Sequence, residues 1–136
     1  MAGNLSDYLK NEARKHVFRT GSFTKPTTLY LALFTVAPTD AGGGTEVTGG
    51  SYARVQVGPS DAAWSAHATA GRTQNVGTVT LAVPSANWGT ITHVAFFDAL
   101  TVGNMLMWQQ LVTSRVVNLG DPAPTFNATA LDFQWD

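Results

Sequence analysis

Two apolar runs separated by a turn constrain this chain more than any other feature. Ile91-Thr92-His93-Val94-Ala95-Phe96-Phe97 is almost uninterrupted apolar, the pattern of a strand covered on both faces. Asp98, Gly103 and Asn104 supply turn chemistry, because Gly and Asn tolerate positive φ and Asp bonds its own backbone. Beyond the turn, Leu106, Trp108 and Val112 alternate with Met105, Met107 and Leu111. A hairpin this apolar does not stand alone in water and needs covering layers. The remaining segments read as that cover.

One helix is expected over residues 5–19, with Asn4 or Ser6 as N-cap and Asp7 in the first turn. Leu5, Leu9, Ala13 and Val17 recur at helical spacing, widened by Tyr8 and Phe18, and Gly21 suits the stop. That stripe predicts an amphipathic helix lying against a sheet. Strands are then expected over Thr27 to Val36, Tyr52 to Val57, Val79 to Val83, the central hairpin, Arg115 to Leu119, and Thr129 to Asp136. In the second of these, Ala53, Val55 and Val57 should point inward and Tyr52, Arg54 and Gln56 outward. Leu131, Phe133 and Trp135 should share one face of the last. Residues 60–73 are small and polar, with Trp64 as their large anchor.

About seven strands without alternating helices exclude a parallel α/β sheet. The expected fold is mainly β: a single antiparallel β-sandwich, jelly-roll-like, with one N-terminal amphipathic helix. Residues 1–136 form one domain in this reading, with the helix in 1–22, the sandwich in 27–136 and a long Gly-rich loop over 37–51. A loop of that length is usually functional, and a contact role at an assembly interface is expected.

Charge bears on what such a domain could do. Charged residues make up 12% of the chain, about half the roughly 25% of an ordinary soluble domain. So little charge over a large surface suggests that copies or partners cover part of it. The net charge of −1 calls for neither nucleic acid nor membrane. Lys10, Arg14, Lys15, Arg19 and Lys25 nevertheless crowd the first 25 residues, a basic helix facing a slightly acidic body.

Catalytic and metal-binding signatures are missing. Without cysteine there are no disulfides, thiolate metal sites or thiol nucleophiles. No apolar run reaches the roughly 18–20 residues that span a bilayer. Met1 to Leu9 lack the basic start and apolar core of a signal peptide, so synthesis in a cytoplasm is expected. The glycines of 42–50 are followed by neither the lysine nor the helix of a phosphate-binding loop. His16, His67 and His93 are scattered, and His93 and Asp98 point to opposite faces of their strand. Trp64, Trp88, Trp108 and Trp135 could line a sugar groove, but core or interface packing is the favoured role. No catalytic residue, cofactor or metal is assigned.

Several segments together carry a resemblance. They are Asp7-Tyr8-Leu9 with its helix, Thr28-Leu29-Tyr30-Leu31-Ala32-Leu33-Phe34-Thr35, Pro38-Thr39-Asp40, and Gly49-Gly50-Ser51-Tyr52-Ala53-Arg54-Val55. Asn87-Trp88-Gly89-Thr90-Ile91-Thr92-His93, Phe97-Asp98-Ala99 and Val117-Asn118-Leu119-Gly120-Asp121 complete the set. The chain resembles a family of small tailed-bacteriophage virion proteins, often labelled tail fibre or minor structural proteins. It departs at Val102-Gly103-Asn104, where many members carry Gly-Gly-Asn. The resemblance implies a virion location and brings no catalytic residues.

A single sandwich is too short for a fibre shaft. The leading expectation is therefore a capsid decoration or cement protein, binding the major capsid protein as a symmetric homo-oligomer such as a trimer. The alternatives are a tail fibre-base, baseplate or adaptor subunit bound to tail proteins, a carbohydrate-binding host-adsorption module, and, last, a cell-wall hydrolase. The candidate contact residues are Lys10, Arg14, Lys15 and Arg19 on the helix, Gly42, Gly43, Gly44 and Glu46 in the loop, and Tyr52 and Arg54 after it. An exposed strand edge is a further candidate.

Overall fold

The central hairpin is β7 (Gly89–Phe97) and β8 (Met105–Val117), paired antiparallel in a computed structural model that describes residues 3–66 and 71–134. Its turn is closed by Asp98, whose carboxylate accepts from Asn104 N at 2.7 Å and Asn104 Nδ2 at 2.8 Å. Gly103 (φ +71°) is required there, since a Cβ would stand 2.5 Å from Asp98 Oδ1.

β2 (Leu29–Val36) pairs with the other side of β7, from Tyr30↔Phe97 to Phe34↔His93. The main sheet runs β1 (Asn4–Leu5), β8, β7, β2, β3 (Thr45–Glu46), with β4 (Val55–Gly58) also paired to β2. Two antiparallel ribbons lie apart from it. One joins β5 (Arg72–Gln74) to β10 (Asp132–Gln134), the other β6 (Val79–Thr80) to β9 (Thr125–Phe126).

The main sheet buries both faces, as its two-sided apolar runs require. On one face Leu31, Leu33, Ile91, Val94, Phe96 and Met107 pack with Leu131 and Phe133 from the ribbon side. Phe96 and Phe133 meet edge to face at 4.7 Å, and Trp64 stands edge-on to both at 5.6 and 5.9 Å. Burying Phe96 to 1% exposure contributes about 1.5–3 kcal/mol. On the other face Ala32, Phe34, Ala95 and Met105 are buried, with Phe97 and Trp108 packed against them. The fold is mainly β, antiparallel, with one helix and a sandwich-like layering. Its second layer is two short ribbons and irregular chain rather than a full sheet.

Several elements differ from expectation, each for a local reason. Among the described residues the strands number ten instead of about seven, because four of them are only two residues long. The helix α1 is Asp7–Phe18, N-capped by Ser6, because Leu5 leaves the stripe to pair with Met107 in β1. Nor does α1 bury an apolar face: none of its residues is fully buried, only Leu9 of the stripe is half-buried, and Val17 and Phe18 are exposed. Met105–Val117 is one long strand, not two, interrupted where β8 bulges opposite Thr92. The 37–51 segment is not an open loop. Thr39 and Gly42 exchange backbone hydrogen bonds, β3 pairs with β2, and Val47 is buried with its N–H on Leu33 O.

Before β4 the expected alternation reverses. Ala53 is exposed, whereas Tyr52 and Arg54 are half-buried, since the chain turns at Ser51 (φ 64°) before the strand begins at Val55. Val83 is exposed beyond β6, and Thr129 (φ 67°) sits in a turn before β10. His67 and Trp135 lie outside the described residues.

Candidate interaction surface

Asp40 ties the helix to the loop. Its backbone oxygen accepts from Asp7 N at 2.8 Å, and its carboxylate accepts from the Lys10 ammonium and from Trp108 Nε1 at 3.0 Å. Lys10, then the Trp108 indole, hold the Asp40 carboxyl below the usual carboxylate range. The helix start is fixed further by Ser6, whose Oγ accepts from Leu9 N at 3.1 Å and whose own N–H donates to Leu106 O at 2.9 Å. Ser6 thus caps the helix and docks it on β8.

The four candidate cations of the helix divide into two pairs. Lys10 is spent on Asp40, and Lys15 on Glu12 at 2.6 Å. Arg14 and Arg19 meet no carboxylate among the described residues; Arg14 reaches only Asn11 Oδ1, at 3.4 Å.

The loop candidates form a second assembly. Arg54 holds both Glu46 oxygens at 2.8 Å and the carbonyls of Ala99 and Val102 at 2.9 and 2.8 Å. Tyr52 donates to Glu46 at 3.0 Å and accepts from the buried Leu33 N–H at 2.9 Å. Burial, the largest cause, pushes the Tyr52 phenol well above the usual tyrosine range. Glu46, Tyr52 and Arg54 therefore lock loop to hairpin turn. A Cβ at Gly42 or Gly43 would meet nothing within 4 Å, whereas at Gly44 (φ +76°) it would lie 2.7 Å from Pro38 N.

Asp40 and Arg54 reach the same sheet face, one at Trp108 and the other at Phe97, where the Arg54 guanidinium lies 3.6 Å from the ring centroid, while Tyr52 packs on Trp88 with the core of the other face. The structure brings Lys10 to the loop, gathers Glu46, Tyr52 and Arg54, and leaves Arg14 and Arg19 apart. Asp40 and Trp108, which join the two segments, were not among the candidates. A polar Asp at the loop entry and an indole in an apolar strand carry no mark that they meet.

The described tryptophans are engaged internally. Trp64 Nε1 donates to Val57 O at 2.7 Å, and Trp88, nearly buried, donates to Gly50 O at 2.9 Å. His93 packs beside Trp108 with its ring nitrogen 2.8 Å from Thr92 Oγ1, and burial lowers its pKa. Between the helix, segment 19–28 and the sheet lies an apolar cavity of about 490 Å³, lined by Leu9, Phe23, Phe96, Met107 and Phe133, with Lys25 as the one charge among the described residues of its lining. Among the described residues no three His, Asp or Glu side chains gather as a metal site, and no helix is long and apolar enough to cross a membrane.

Among the described residues the polar clusters hold the domain's own loops in place. The chain belongs to the Podophage GP4 fiber I protein gp80 family, whose sequence model matches residues 4–134. The match spans every described strand and the helix. It places the chain in a phage fibre and structural protein family. No curated protein matches the chain.

Proposed function

We propose that this chain is a non-enzymatic structural subunit of the phage virion, a globular base or adaptor module of the fibre apparatus. The family match over residues 4–134 supports this reading most directly. The fold agrees, because the eight other described strands gathered around one long hairpin make a module and not a repeating shaft. Partner contact falls to groups left over after internal pairing, Arg14 and Arg19 first among them.

A second reading, a capsid decoration protein acting as a symmetric oligomer on the head, draws on the sparse surface charge of 12%. Binding only the assembled shell would stabilise it by mass action. Quantitative mass spectrometry of purified particles separates the two. Copy number well below that of the major capsid protein, with antibody labelling at the tail, is the expected result. A ratio near one-to-one with head labelling replaces the fibre reading with decoration. A particle without the chain removes both.

A further inference from the structure

We propose that Phe18, flanked by Arg14 and Arg19, is the anchor by which the helix docks into an apolar pocket ringed by carboxylates on a neighbouring virion protein. This rests on the virion reading above. Phe18 is 82% exposed and Val17 69% exposed at the last turn of α1. Arg14 stands four residues before Phe18, so the two share one ridge of the helix. Aromatic and Arg side chains together are the composition of interface anchors.

The helix presents this group on a fixed base. Its first turn is held by Ser6 and Asp40, and its last is followed by a hydrogen bond from Phe23 N to His16 Nδ1 at 3.2 Å. Little ordering is then left to accompany docking, which favours affinity.

Charge selects the partner. With Lys10 and Lys15 internally paired, the cations left beside Phe18 are Arg14 and Arg19. They call for an acidic rim. A second copy is the wrong occupant: this chain's own large apolar cavity carries Lys25, a like charge. Nucleic acid is disfavoured by the exposed Asp7 on the same helix and by a net charge of −1.

The test uses particles made without the chain and complemented with variants, the copies per particle being counted by mass spectrometry. Phe18→Ala, and separately Arg14→Glu with Arg19→Glu, should lower copy number by at least about tenfold, with thermal melting of the free chain unchanged. Val112→Ala, at an equally exposed site on β8, should load as the wild type does. Wild-type loading by Phe18→Ala overturns the anchor alone. A wild-type chain absent from particles overturns the virion reading first. Retention of a DNA duplex by the purified chain, lost on the double charge reversal, overturns the assignment to a protein pocket.

Discussion

The Arg54 guanidinium lies over the Phe97 ring, 3.6 Å from its centroid, while its edge forks onto Glu46 and reaches two turn carbonyls. One side chain thus joins β3, the sheet face and the Asp98 turn. Its side chain is only 8% exposed, so removing it strands a half-buried carboxylate and two carbonyls. Arg54→Ala should cost about 2–4 kcal/mol. Arg54→Lys should still cost roughly 1–2 kcal/mol, because an ammonium cannot fork to the carboxylate and stack on the ring together. Urea denaturation of the two variants checks both values; equal stability of Arg54→Ala and wild type would leave the clamp without energetic weight.

Tyr52 makes a prediction in alkali. Its folded pKa is raised above the ordinary value of 10.0, chiefly by burial, so the unfolded chain gives up the phenol proton first. The associated stability is complete below pH 10.0 and is lost as pH rises beyond it. Tyr52→Phe should flatten this alkaline loss. At neutral pH the same variant should be about 1–3 kcal/mol less stable, since the buried Leu33 N–H loses its acceptor. Denaturant midpoints from pH 7 to 11 for both proteins read the two effects.

The hairpin and β2 were legible because their apolar runs cover two faces and are long enough to show a pattern. β1, β3, β6 and β9 were not, since a two-residue strand has no period to read. The helix shows the opposite failure. Leu5, Leu9, Ala13 and Val17 satisfy helical spacing, yet pairing with Met107 draws Leu5 into a strand and leaves Val17 in solvent. Asn75 carried no signal at all. Buried to 2%, it donates to nearby Gly77 O, and it donates to Asn127 O and accepts from Leu131 N, 52 and 56 positions away across the ribbon layer. Of the candidate contact residues, the cations were legible as a basic helix. Which of them remain unspent depended on Asp40, thirty positions from Lys10 in sequence.

Asp40 should make the helix acid-sensitive. Lys10 and Trp108 lower its folded pKa below the ordinary 3.8, so its contribution is present above that value and is lost as pH falls through the folded pKa. The pair is partly exposed, which keeps the effect modest and salt-dependent. Helical circular dichroism should therefore fall in acid at a pH below 3.8, and Asp40→Asn should lack that step while its Trp108 contact weakens already at neutral pH. An identical acid profile in Asp40→Asn would assign the loss to another carboxylate.

Gln109 sits on β8 opposite Val94, both fully buried, and neither its Oε1 nor its Nε2 finds a hydrogen-bond partner among the described residues. Met107 and Phe133 crowd the same region around Gly3, whose Cβ position lies 3.7 Å from Gln109 Oε1. An amide taken from water into such surroundings without partners costs about 1–3 kcal/mol. Methionine has nearly the same length and flexibility and fits an irregular apolar site. Gln109→Met should therefore raise stability by about 1–2 kcal/mol, read as a higher urea midpoint at unchanged slope. Gln109→Ala removes the amide but opens a void, and should gain less or lose. A lower midpoint for Gln109→Met would instead mean that an ordered buried water satisfies the amide in solution.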